Sequence, residues 1–528
     1  MDLVSLLSEF IKDNLPITMP RSPEAVADII NRNFSGKRLV IYGTGPHTAE
    51  VLNLLSEKVQ VAALADDEGV CNFPTGLPVV RTDELKNMDF DHVFISNSLF
   101  MKKMAQKLKD CGIEENRILD IYSDVSNLET FIKYVPLNIK IKKNGKRNIL
   151  VIVPFENADH ITRFSSRLKE QFNLYKVYYS SESESDVTDN FRDHTSIRSS
   201  LFLLAQILVA NRDAIDLVVI NAIPSNYHLV YFIKNLVPEL KVAASFIDVL
   251  SFYGEKEKIV SELEFGERYD MELKCEDFLI KNCEGLIASI DGKYAEETVF
   301  SRSPKSIRMF NYLPKDFFVF KDKGLSERPS LVYAGGVLNS GSDKIISADI
   351  KMYNVFRPLL ESGLKGEAFF SNVDKNSVNN NCFDDFRELA KEYDFRFSSS
   401  RNINELIPMI SGHDFGIMYY DFSETMKAGV LKKHLHAAIP TKIFTYLSAG
   451  LPILISEEIH SAKELILSLG VGIAVKQDDI HDIGKLIRAV DYNKLKSAVK
   501  RFQDSFDIDG EYMKLYNFIN DIINKGNQ

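Results

Sequence analysis

Short apolar, β-prone runs recur along this chain, each ending in a turn and giving way to a helical pattern. In the stretch from Lys37 to Tyr122 they follow one another closely. Arg38–Tyr42, Val59–Ala65, Asp91–Ser96 and Arg117–Tyr122 read as strands, with Thr75-Gly-Leu-Pro78 turning into Val79-Val80. Ala49–Glu57 and Met101–Cys111 read as helices. Such alternation predicts a parallel sheet with right-handed crossovers. The basic stretch Lys140–Arg147 reads as a linker to a second unit. There Asn148–Pro154, Asp216–Asn221, Lys241–Ile247 and Gly285–Ser289 continue the strand pattern, with a helix from about Ile161 to Phe172. A third unit opens at Ser330–Gly336 and includes Phe415–Tyr420 and Pro440–Ile455. The expected class is α/β with three parallel-sheet units.

Length agrees, since 528 residues exceed what one hydrophobic core holds. A hydrophobic share of 45% with 26% charged residues is that of a soluble globular protein. The net charge of −10 offers no general attraction to nucleic acid or an anionic membrane. The five cysteines form no Cys-x-x-Cys pair, which points away from a zinc site or disulfide framework and towards a reducing cytoplasm. No apolar run is long enough to span a bilayer, and no signal sequence opens the chain. Residues 1–15 place Leu3, Leu6, Leu7, Phe10, Ile11 and Leu15 on one helical face. That face can pack on its own unit, pair with a second copy or rest on a membrane surface, so peripheral membrane association and oligomerisation stay open.

Three places carry candidate chemistry. Gly43-Thr44-Gly45-Pro46-His47 follows a strand and precedes a helix, the context in which a glycine turn cradles phosphate, and Asp66 at the next strand end can reach a ribose. Thr48 replaces the third glycine of the dinucleotide fingerprint, which weakens a full NAD assignment. Tyr333-Ala334-Gly335-Gly336 ends a strand with two glycines, which let backbone amides approach a phosphate. In Pro440-Thr441-Lys442-Ile443-Phe444-Thr445-Tyr446-Leu447-Ser448-Ala449-Gly450-Leu451-Pro452, Pro440 suits a helix start and Gly450 a left-handed residue past its end. Lys427, Lys432, Lys433, His434, His436 and Lys442 form a basic cluster that serves either a diphosphate or only solvent.

The Pro440–Pro452 stretch resembles the donor segment of nucleotide-sugar glycosyltransferases of the two-Rossmann GT-B fold, whose pattern reads Pro-x-Lys-x-x-Glu-Tyr-Leu-x-x-Gly-x-Pro. Residues about 36–125, with Gly43-x-Gly45-x-His47 and Gly76-Leu77-Pro78-Val79, resemble the small Rossmann-like domains of sugar acyltransferases and sugar-nucleotide enzymes. The domain bounds expected from these resemblances are 1–135, 147–320 and 321–528, the last two forming a GT-B pair whose final helix crosses back. The resemblance implies a cytoplasmic transferase taking sugar from a nucleotide-diphosphate donor. Its acceptor would be a glycan, lipid-linked or protein molecule in surface-polysaccharide or glycoconjugate synthesis, with no metal or other cofactor required.

Donor contacts are then expected from Gly335, Gly336, Lys433, Pro440, Thr441, Lys442 and Thr445, and from Gly43, Gly45 and Asp66 if the first unit also binds a nucleotide rather than serving only in assembly. Asp248, His160 and Lys344 are the candidate catalytic residues. Asp248, in Phe246-Ile-Asp-Val249, would orient or deprotonate an acceptor hydroxyl, unless it caps a loop or helix. Glu156, Asp159 and His160 follow the second unit's first strand on an acceptor-facing loop, and Lys344 stands in for a donor-site lysine. One departure matters. Many retaining members carry two glutamates with seven residues between them; here Ala437 and Thr445 occupy those places. A changed nucleotide preference, an altered mechanism, or a catalytically inactive sugar-nucleotide-binding or assembly protein are all open.

Overall fold

The computed structural model describes residues 19–71, 73–97, 100–135, 137, 139–154, 160–179, 190–197, 199–246, 248–263, 266–337, 351–370 and 383–525. The amphipathic stretch 1–15, Glu156, Asp159 and Lys344 lie outside them. The chain divides into two compact units. One is Met1–Asn144 with Val177–Ser185 and Asp193–Ala214; the other is Gly145–Lys176 with Asp186–Arg192 and Ile215–Gln528.

Three sheets carry the fold. The first comprises β1 (Arg38–Tyr42), β2 (Gln60–Asp66), β3 (Val79–Arg81), β4 (His92–Ile95) and β5 (Ile118–Leu119), in the order β3-β2-β1-β4-β5. The second comprises β6 (Arg147–Val153), β7 (Phe172–Tyr178), β8 (Asp193–Ser196), β9 (Leu217–Ala222), β10 (Val242–Phe246), β11 (Gly285–Ala288) and β12 (Ser306–Arg308), in the order β12-β11-β10-β9-β6-β7-β8. The third comprises β13 (Ser330–Gly335), β14 (Lys365–Phe370), β15 (Phe395–Ser399), β16 (Phe415–Met418), β17 (Ile453–Ser456) and β18 (Gly472–Val475), in the order β15-β14-β13-β16-β17-β18. The sheets are parallel. Their order reverses at β1, β6 and β13, and each reversal leaves a crevice beyond the strand's carboxyl end.

The strands are near-continuous apolar runs because helices cover both faces. Every residue of β9, β10 and β17 is buried. Pro46 at the first helical position starts the helix Pro46–Leu54 three residues earlier than the apolar pattern suggests. The helix expected from Ile161 to Phe172 is two short ones, His160–Arg163 and Ser165–Gln171, and Phe172 already belongs to β7.

The last helix, Ile508–Asn524, is capped by Asp507, whose carboxylate accepts the Gly510 N–H at 2.9 Å. It buries Leu515, Phe518, Ile519, Ile522 and Ile523, which contributes on the order of 10 kcal/mol before chain entropy is subtracted. Phe518 and Ile522 press on Gly285 at the start of β11, where any Cβ would lie 2.6 Å from Ile522 Cδ1. The Lys241 ammonium closes the helix end by donating to Ile523 O at 2.6 Å and Lys525 O at 2.7 Å. The chain therefore returns from the third sheet to the second. Among the described residues no helix is long and apolar enough to cross a membrane.

Candidate active site

The third sheet reverses order at β13, so its crevice opens beside Gly335 and Gly336. The helix Lys442–Ser448 approaches this strand end and is tied to it by a buried side chain. Tyr446, fully buried, accepts the Ala334 N–H at 3.0 Å and donates to Ile417 O at 3.1 Å, tying the helix to β13 and β16 together. Gly416 makes room for that ring, since a Cβ there would lie 2.6 Å from two ring carbons. Gly450, with φ of 73°, ends the segment where a side chain would lie 2.7 Å from Val319 O.

Lys442 crosses the glycine. A Cβ on Gly335 would collide with Lys442 Cε and lie 2.7 Å from Nζ. The ammonium donates to Tyr420 Oη at 3.1 Å and lies 5.2 Å and 5.4 Å above the Tyr333 and Tyr420 rings. Tyr333 in turn donates to Gly336 O at 2.5 Å. A cation is thus held over a bare strand end by two aromatic faces. The helix begins at Lys442, two residues beyond Pro440, and the Ile443 and Phe444 N–H groups donate back to Pro440 O and Thr441 O. These amides are spent on the turn, so the positive charge of this segment comes chiefly from Lys442. Thr445, half-exposed, lies one turn further along.

The remaining basic residues belong to a strap between the two sheets of this unit. Leu431 is left-handed, with φ of 58°, a conformation costing a leucine about 1–2 kcal/mol. Its N–H donates to Tyr253 O at 2.7 Å, which offsets that cost. From there the helix Lys432–Ala437 carries His434 edge-on to Tyr253 and Lys433 over Tyr294 at 5.9 Å. His436 stacks on His460 with centroids 3.8 Å apart. The Asp291 N–H donates to Ala437 O, and Ala438 pairs with Ile290. Burial holds His434 below its ordinary pKa, with the Asp248 carboxylate acting the other way. Asp248 therefore lies within electrostatic reach of His434 from the opposite half. The Asp248 backbone is fixed by Tyr227, whose hydroxyl donates to its carbonyl at 2.6 Å.

His160 is fully buried, and its ring nitrogens meet Ser245 Oγ at 2.9 Å, Met309 O at 2.8 Å and Ser289 Oγ at 3.1 Å. This ring pins the carboxyl ends of β10 and β11 and presents nothing to a substrate. Gly43, Gly45 and Asp66 meet in a separate cavity within the first unit. Tyr333, Tyr420 and Tyr446 were not singled out from the sequence as site residues. Tyr446 stands inside the donor pattern and Tyr333 opens the strand-end glycine motif, while Tyr420 is marked only as the end of an expected strand.

Residues 360–516 match the family model described as Glucosyltransferase 3-like, C-terminal domain. The chain is a glycosyltransferase. The match includes Lys442 and Thr445 of the transferase but not β13. Residues 35–119 match a second model, C2185-like, N-terminal. No curated protein matches. Among solved structures the transferase is similar to the lipopolysaccharide outer core galactosyltransferase WaaB in apo form, at 11% identity over 71% of this chain and 99% of that one, with TM-score 0.43. It is also similar to a structure described as trehalose-6-phosphate from E. coli bound with UDP-2-fluoro glucose, at 10% identity over 70% and 99%, with TM-score 0.44. Os79 from O. sativa, in complex with UDP and deoxynivalenol-3-glucoside, is similar at 10% identity over 71% and 95%, with TM-score 0.38. Superpositions this loose carry no weight of their own.

Proposed function

We propose that the transferase moves a sugar from a nucleotide-diphosphate donor to a hydroxyl of a glycan, lipid-linked or protein acceptor, in building a surface polysaccharide or glycoconjugate. The observation behind this is Lys442, held over the bare end of β13 inside a segment of glucosyltransferase type. In this assignment residues 321–528 hold the donor, 147–320 face the acceptor, and 1–135 form a separate small domain. The diphosphate lies against Gly335 and Gly336, with Lys442 on its oxygens, Lys433 near the mouth and Thr445 towards the ribose.

As the anomeric carbon–oxygen bond breaks, its electron pair leaves on the nucleoside diphosphate, where Lys442 offsets the growing charge. The acceptor oxygen forms the new bond, and its proton passes to Asp248. A preplaced charge of this kind is worth about 3 kcal/mol in the transition state. Lys442→Ala should therefore lower kcat/KM by roughly 100-fold. The test is release of free nucleotide from a panel of nucleotide sugars, with and without sugar acceptors. Thermal protection by a nucleotide without turnover of any sugar would overturn the enzymatic assignment.

One observation favours the alternative, an inactive sugar-nucleotide-binding protein. Ala437, 1% exposed and with its carbonyl accepting the Asp291 N–H at the join between the halves, supplies no carboxylate where the resembled enzymes carry a glutamate.

A further inference from the structure

Glycosyl transfer leaves unused a cavity of about 450 Å³ in the first unit. It lies at the carboxyl ends of β1 and β4, where that sheet's strand order reverses. Three kinds of group meet in it. The turn Gly43-Thr44-Gly45 brings bare backbone to the wall, and Gly43, with φ of 119°, holds a conformation that suits glycine alone. The Gly43 N–H donates to Ala65 O, but among the described residues the Thr44 and Gly45 N–H groups find no acceptor.

Arg21 and Lys103 line the cavity as exposed cations, and among the described residues neither has an acidic partner. Lys107, by contrast, is spent on Asp67 at 2.8 Å. Asp66 supplies the opposite charge from the end of β2. Its Oδ1 accepts the Glu68 N–H at 2.9 Å and the Val70 N–H at 3.4 Å, while among the described residues Oδ2 meets only the Thr44 hydroxyl, at 3.2 Å. Tyr42, Phe100 and Met104 give apolar wall.

From this juxtaposition we infer that the cavity is a second nucleotide site, taking a nucleoside diphosphate or its sugar ester. The diphosphate rests on the Thr44 and Gly45 amides between Arg21 and Lys103, and the ribose diol on Asp66. The sugar or base lies along the Tyr42 and Phe100 side. Amides and cations together answer a diphosphate better than any neutral ligand. A carboxylate set one strand away answers a diol.

A dinucleotide fits less well. Thr48, fully buried, donates its hydroxyl to Gly43 O at 2.8 Å and meets the Ser96 hydroxyl at 2.9 Å, so a side chain fills the place where a third glycine would bring helix and strand closer. The space also suits one nucleotide with its sugar rather than two nucleosides.

The site is independent of glycosyl transfer, and calorimetric titration of the full chain with UDP, ADP, GDP, CDP and NAD tests it. In Lys442→Ala, which disables the proposed donor site, one nucleoside diphosphate per chain should still bind. Adding Arg21→Ser and Lys103→Ser should remove it with little change in the thermal midpoint, since both side chains are exposed. Should that variant unfold, Asp66→Asn serves instead. It keeps the Thr44 contact and should lose about tenfold for the ribonucleotide while leaving its 2′,3′-dideoxy analogue unchanged. The inference is overturned if Lys442→Ala binds no diphosphate, if NAD binds as tightly, or if the Arg21, Lys103 and Asp66 changes leave binding as it was. Loss of turnover in Lys442→Ala with this site intact separates the two assignments.

Discussion

Lys442 occupies the space that a side chain on Gly335 would take, so the glycine at the end of β13 and the lysine 107 residues later are one structural feature. The backbone of Gly335 is not left-handed, so alanine there brings no backbone strain. What it does is push the flexible end of the lysine off the strand end. Gly335→Ala should therefore weaken nucleotide-sugar binding about tenfold, or ~1.4 kcal/mol, while the unfolding midpoint moves little. Titration with the donor, beside a thermal melt, checks both halves. A large stability loss with unchanged affinity would show that Lys442 is packing rather than binding.

Tyr446 gives a complementary expectation, because its hydroxyl is fully buried and bonded on both sides. Tyr446→Phe leaves the Ala334 N–H and the Ile417 carbonyl without that partner. The cost should be about 1–3 kcal/mol of stability, read from urea unfolding. Donor affinity should fall as well, since the helix carrying Lys442 loses its tie to β13. A neutral outcome would mean that water replaces the hydroxyl.

The difference between these two residues shows what the sequence could reveal. Gly335, Lys442 and Gly450 were legible because glycine and proline spacing marks turns at strand and helix ends. The meeting of Tyr333 and Tyr420 with Lys442 was not, because it depends on β13 and β16 lying side by side. β7 went unread for a similar reason. Asn173 and Lys176 interrupt its apolar run, yet both are buried, and their partners, such as Thr162 Oγ1 at 3.0 Å from Lys176 Nζ, come from elsewhere in the fold. His160 stands at a strand end, as a ligand-facing residue would. Its hydrogen-bond partners are 85 to 149 residues away, so nothing local marked it as a packed ring.

Asp414 should make stability depend on pH in a defined direction. Burial by itself would raise its carboxyl pKa, but the hydrogen bond from Lys323 and those from the Ser330 N–H and hydroxyl outweigh it, and the group is held below its ordinary value. The unfolded chain thus takes up the proton first, near pH 3.9. The stabilisation is complete above that value and is lost as pH falls through it and on through the folded value. Asp414→Asn should cost about 2–3 kcal/mol at neutral pH and flatten the acid limb of the stability curve. Urea unfolding between pH 3 and 7 measures this, and an identical slope in both proteins would reject it.

Thr445 offers the sharpest test of how the donor lies. It follows Lys442 by three residues on the same short helix, so the two side chains share a face, and it is half-exposed there. In the enzymes this segment resembles, a glutamate at this place meets the ribose. If the nucleotide lies along the helix with its diphosphate on Lys442, a carboxylate at 445 gains a ribose hydroxyl. Thr445→Glu should then tighten a ribonucleoside diphosphate by about tenfold, ~1.4 kcal/mol. The 2′,3′-dideoxy analogue, lacking the hydroxyls, should gain nothing. A new carboxylate near a diphosphate also repels it, so the ratio between the two ligands, rather than either affinity alone, is the quantity to read. Equal changes for both would mean that the ribose points away from this face, and the orientation assigned to the donor would be wrong.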